Sequence, residues 1–192
     1  MGEAKQFRKN RRSKHPDFGG EDFQRWVKQS SSERIDEVNH FLIKLAERMT
    51  DHVIDTLKEV HGAHRLASDE PAYWEIGVEN ERIRKNAFDK QQREDKGRRK
   101  PKEAYLDIVD LAEIVKQPNN WDHFEHVFKN PRPGDRAGQK YYLGWIQTFN
   151  ELRNIAAHKN RLKTYTDEDL EFVEWLRIEV SPKLPELSLI HI

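Results

Sequence analysis

The stretch Arg153-Asn154-Ile155-Ala156-Ala157-His158 holds three side chains suited to handling a phosphate. A guanidinium binds phosphate oxygens with two parallel hydrogen bonds. An imidazole moves a proton near neutral pH, and a carboxamide both donates and accepts. Arg153 lies seven residues beyond Ile146, which returns it to nearly the same helical azimuth, on the flank of an apolar stripe. A guanidinium there needs an acid, a carbonyl or a bound anion. Asn154 and His158 are four residues apart and share another face, while Ala156 and Ala157 leave room beside them. On a straight helix Arg153 and His158 diverge by about 140°. They share one phosphate only if the helix bends or ends there, or if two subunits each contribute. The plainer reading is that His158 caps a helix carboxyl end, where a cation meets the negative dipole.

Other constellations carry less. His61-x-x-His64 and His123-x-x-His126 have metal-ligand spacing, with Asp122 and Glu125 beside the second pair. Neither shows the third and fourth ligands that zinc ordinarily takes, so no metal or other cofactor is expected. Trp121, Trp145 and Trp175 fall on apolar stripes and read as core. Gly19-Gly20 has no strand before it and makes no phosphate loop. The absence of cysteine removes disulfides, Cys-based zinc sites and a thiol nucleophile, and agrees with a cytoplasmic setting.

The elements that must position these residues are helical. Ser30-Ser31-Ser32-Glu33 has capping-box spacing, and Ile35, Val38, Leu42, Leu45, Met49, Val53, Leu57 and Val60 then recur every three or four residues up to Gly62. Ser68-Asp69-Glu70-Pro71 is a helix start leading into the apolar cluster Tyr73, Trp74 and Ile76. A polar helix follows through Ile83, Ala87 and Phe88, and Lys96 to Lys102 form a basic linker, read first as an exposed loop. From Tyr105 an apolar segment runs to Val115 and is stopped by Pro118, and Trp121, Phe124, Val127 and Phe128 make one face of a short helix. After the loop at Asn130-Pro131-Arg132-Pro133-Gly134, one helix is predicted from about Ala137 to His158, with Tyr142, Trp145, Ile146, Phe149, Leu152 and Ala156 inward. Thr166-Asp167-Glu168-Asp169 caps a last helix with Leu170, Val173, Leu176 and Val180 inward, ended by Pro182 and Pro185. No segment alternates as a strand would, so the fold class is all-α, a helical bundle.

Composition frames this core. Of 192 residues, 35% are hydrophobic and 35% charged, with zero net charge. Anion binding must therefore come from local patches rather than a global field. No apolar run approaches membrane-span length, and no secretory segment follows Met1. Residues 1–20 read as a disordered basic arm, a solvating tail or an electrostatic tether to nucleic acid. Residues 21–30, with Phe23, Trp26 and Val27, suggest a short helical extension, and 31–186 form the main helical domain. The last six residues, Leu187-Ser188-Leu189-Ile190-His191-Ile192, resemble a translated sequencing-library adaptor. The hypothesis is a non-native scar at 187–192 on a chain cut near Glu186, a fragment once fused to a further domain. A longer reading frame encoding the same six residues would refute it.

Arg153-Asn154-x-x-x-His158 resembles the R-x-x-x-x-H motif of the HEPN (higher eukaryotes and prokaryotes nucleotide-binding) superfamily. The wider layout is similar to the subgroup appended to PIN-type RNA endonucleases and prokaryotic defence proteins. The matching features are Leu57…His61-Gly62, Tyr73-Trp74, Tyr105-Leu106-Asp107-Ile108, Asn120-Trp121…Phe124…Phe128, Leu152 to His158, and Thr166 to Leu170. The resemblance spans roughly residues 38–181 and excludes the arm and helix before residue 30. It implies a bundle of four to five helices, here with short extra helices, that pairs as a homodimer through the Arg153–His158 face. It further implies a metal-independent endoribonuclease that uses the ribose 2′-hydroxyl and leaves 2′,3′-cyclic phosphate ends. In that reading His158 transfers the proton, Arg153 holds the scissile phosphate, and Asn154 orients one or the other. The alternative for such a domain is a non-catalytic interaction or dimerisation module of a larger protein.

Overall fold

The computed structural model describes residues 31–131, 136, 138–158 and 165–185. The basic arm, the 21–30 extension, the Ser30 cap and the suspected scar at 187–192 lie outside the described residues. Within them the architecture is an all-α bundle without a strand, apart from one isolated bridge between Arg65 and Pro71.

Helix α1, Ser31–His61, is the axis of the bundle. Its 31 residues rise through roughly 46 Å at 1.5 Å each. The predicted stripe is the buried one: Val38, Leu42, Met49 and Val53 are fully covered, and Leu45 and Leu57 nearly so. Its ends behave differently, with Ile35 half-covered and Val60 exposed, because the helix outruns the core at both ends. Gly62 stops it by taking φ 81°, a left-handed conformation that costs glycine little.

Short elements then wrap one side of α1. Helix α2, Ala72–Glu75, is a single turn that buries Tyr73 and Trp74. Ile76, expected in the same cluster, is exposed, and Val78 is buried in its place. Helix α3, Glu81–Arg93, is capped by the Asn80 side chain and buries only Ile83 and Ala87. Two tight turns, Lys96–Arg98 and Lys102–Tyr105, lead into α4, Ile108–Val115. Pro118 does not end α4. It occupies the first position of α5, Pro118–Phe128, where its missing N–H costs nothing.

The single helix expected from Ala137 to His158 is two. Helix α6, Gln139–Tyr142, turns through Leu143 and Gly144 before α7, Trp145–His158. The break has a physical reason. Gly144 weakens a helix interior, and the turn lets the Trp145 indole donate to the Phe128 carbonyl at 3.3 Å. Helix α7 then lies along α1, its most extensive partner, and also packs on α4. Helix α8, Asp167–Trp175, opens with the predicted capping box: Asp169 N–H donates to Thr166 Oγ1, and Thr166 N–H to the Asp169 carboxylate. It runs on as a π-helical turn, Leu176–Val180, and a short turn at Ser181–Lys183. Leu170, Val173, Leu176 and Val180 are all buried, as their spacing required.

Candidate functional site

Helix α7 sets Arg153 by its neighbours. Leu152 and Ala156 are buried against the core, so the residues between them emerge at the seam rather than on the open face. Arg153, Asn154 and Ile155 are accordingly half-covered, and Ala157 is exposed. The flank position inferred from the spacing is the position observed.

Among the described residues the guanidinium has little to hold it. Its Nη1 stands 3.4 Å from Asn154 Oδ1, a weak hydrogen bond between adjacent residues. Its Nε is buried and has no hydrogen-bond partner. Among the described residues Arg153 forms no ion pair. A buried donor left unmade costs about 1–3 kcal/mol, more when charged, so an acceptor beside it, whether a water, a carbonyl or an anion, would be stabilising. His158 is the last described residue of α7, and its side chain lies outside the described residues. The structure thus places Arg153 and Asn154 in the last described turns of the helix that carries the third candidate.

Arg48 shows the contrast, and Arg177 differs from Arg153 in having an ion pair. Arg48 of α1 donates from Nη1 to Ser181 Oγ at 2.8 Å, from Nη2 to the carbonyls of Ser181 and Leu184 at 2.9 and 2.7 Å, and from Nε to that of Pro185 at 3.1 Å. Arg177 pairs with Glu37 at 2.8 Å and lies over the Phe41 ring at 4.7 Å, although its Nε, like that of Arg153, is buried without a hydrogen-bond partner. Burial raises the Glu174 carboxyl, an effect that Arg177 opposes and Glu37 reinforces. Tyr165, pushed up to about 12 by burial and by Asp169, keeps its proton and donates to Asn39 Oδ1 at 2.5 Å. These groups tie α8 to the first half of α1, and their partners lie more than a hundred positions away in the chain. No local signal reveals them.

One histidine of each pair makes a contact within the bundle. His61 Nε2 meets Asn120 Oδ1 at 3.1 Å, and the buried Asn120 donates to the Gly77 and Ile114 carbonyls at 2.8 and 2.9 Å. His126 meets His52, a residue the spacing had not singled out, edge to face at 6.0 Å. Among the described residues no group of three or more His, Cys, Asp or Glu is placed to hold a metal. Trp145 and Trp175 are core, while Trp121 is half-covered and stacks on Tyr142 at 6.4 Å.

A cleft of about 550 Å³ between α1 and the 102–105 turn is lined by Arg48, His52, Asp55, Lys58 and Glu103, among others. A second, of about 340 Å³, lies among Arg65, Glu70, Tyr73 and Lys102. Neither carries a residue of α7. No helix among the described residues is long and apolar enough to cross a membrane. Set against known protein families, curated proteins and solved structures, the chain matches none.

Proposed function

We propose that this chain is a HEPN-type endoribonuclease module acting as a homodimer on RNA, in defence or RNA processing. The observation that carries the reading is Arg153: a half-covered guanidinium without an ion pair among the described residues, its Nε buried without a partner, one residue from a carboxamide and five from His158 on the same helix. A phosphate supplies the missing acceptor.

In the proposed reaction the ribose 2′-oxygen attacks phosphorus while losing its proton. The bond from phosphorus to the 5′-oxygen breaks, and that oxygen gains a proton as it leaves. The products are a 2′,3′-cyclic phosphate and a 5′-hydroxyl. His158 carries the proton transfer. Arg153 binds the non-bridging oxygens and stabilises the charge growing on them, and Asn154 orients the phosphate. Pairing of two chains across this face answers the angular separation of Arg153 and His158 on one helix.

The test is RNA cleavage by the purified chain in excess chelator, beside His158→Ala and Arg153→Ala. The expected result is chelator-resistant cleavage with cyclic-phosphate ends, lost in both variants. RNA left whole by a dimeric wild type would reject the enzyme in favour of the interaction module.

A further inference from the structure

Phe88 lies outside the hydrophobic core. Helix α3 buries Ile83 and Ala87 and turns Phe88 outward, 45% exposed. At 3.6 residues per turn it shares its stripe with Glu81, Lys85 and Gln92, none of them apolar. The segment after α3 folds back beside it. Gln91 donates to the Lys100 carbonyl at 2.8 Å, Arg99 reaches the carbonyls of Gln92 and Glu94 at 3.2 Å, and Lys100 N–H donates to Tyr105 Oη at 3.1 Å. Lys102 then stands over the Phe88 ring at 5.7 Å.

Arg99 is spent as the bracket of this fold-back. Arg93, Lys96, Arg98 and Lys100 are left exposed, with no ion pair among the described residues, and Lys85 is in the same state. Residues 93–100 hold five cations against two acids. In a chain of zero net charge this is a local positive patch on a hydrogen-bonded loop, with one outward aromatic ring beside it.

We infer that α3 and the loop after it form a docking surface for single-stranded RNA, with Phe88 stacking on a base and the loop cations taking phosphates. The inference rests on the RNA reading above but uses none of the residues of α7. Single-stranded nucleic acid is held by this combination of a stacking ring and backbone-tracking cations. An anionic bilayer or an apolar partner helix fits less well, because the stripe offers no second apolar residue to bury.

The experiment uses the full chain carrying His158→Ala, so that RNA is not consumed, and follows fluorescence anisotropy of a labelled single-stranded oligonucleotide across salt concentrations. Phe88→Ala weakens binding about tenfold. Lys96→Gln, Arg98→Gln and Lys100→Gln together lower the slope of log affinity against log salt by about two, at roughly 0.7 per phosphate contact. The positions are exposed, and matching thermal melts verify that each variant folds. Unchanged affinity and slope overturn the inference, as does binding to phosphatidylserine vesicles without binding to RNA. The two proposals fail separately. Wild type that spares RNA in chelator yet shows loop-dependent binding sinks only the nuclease. Cleavage with unaltered KM in the loop variants sinks only this surface.

Discussion

Arg153 and Arg48 are both half-covered arginines, and they should answer mutation in opposite ways. Arg48 donates to one hydroxyl and three carbonyls and pins residues 181–185, the last described ones, to α1. Arg48→Met leaves those acceptors unmet and is expected to cost about 2–4 kcal/mol, since hydrogen bonds to charged groups contribute about 1.5–3 kcal/mol each and are not additive. Denaturant titration measures it, and a loss under about 1 kcal/mol would contradict the clamp. Arg153→Met keeps the stem that packs beside Leu152 and Ala156 but removes a donor that nothing satisfies. Stability should stay level or rise slightly, while RNA cleavage falls about a hundredfold or more. An Arg153→Met variant that melts early with its cleavage intact would make Arg153 a structural residue. The spacing from Ile146 was enough to place Arg153 at the seam. It could not show that the Nε lacks a partner, because that depends on every element brought near it.

The α1–α5 seam carries a proton-sensitive contact. His52 lies against Phe124 and Phe128 at 6.0 and 6.4 Å, and its Nε2 is buried without a partner. Burial first, then the neighbouring His126, push its pKa below the ordinary 6.5, with Asp55 opposing in part. The unfolded chain therefore binds this proton more readily than the folded one. The stability contribution is complete above about pH 6.5 and is lost as pH falls below it, through the lowered folded value. Thermal melts between about pH 8 and pH 5, a range that brackets the ordinary histidine value, should show wild type losing Tm faster than His52→Gln. Parallel pH profiles would exclude the effect. At this same scale Asn120 joins α1, the α2–α3 connection, α4 and α5 through His61, Gly77 and Ile114. Asn120→Ala should cost about 2–4 kcal/mol by stranding buried acceptors. Helix periods were legible for α1, α5 and α8 because one apolar stripe faces one core. The break at Gly144 was not, because it answers a tertiary demand, the bond from Trp145 to Phe128.

Across the whole molecule, the nuclease reading ties activity to association. If two copies must meet across the α7 face, specific activity falls on dilution in step with the dimer fraction measured by sedimentation. Activity independent of concentration, with the chain sedimenting as a monomer, would place both groups in one protomer and require the end of α7 to bend.

Residue periodicity, caps and the lack of strand alternation determined the all-α class, the buried stripe of α1 and the capping box of α8, since each follows from contacts a few residues apart. The same local rule set Arg153 beside the apolar stripe. Only the tertiary structure decided which arginine is clamped and which is left wanting an acceptor, that Phe88 faces outward, and that His52 packs against α5. Those outcomes depend on side chains that folding gathers from distant parts of the chain, and burial and pairing are properties of that assembled neighbourhood.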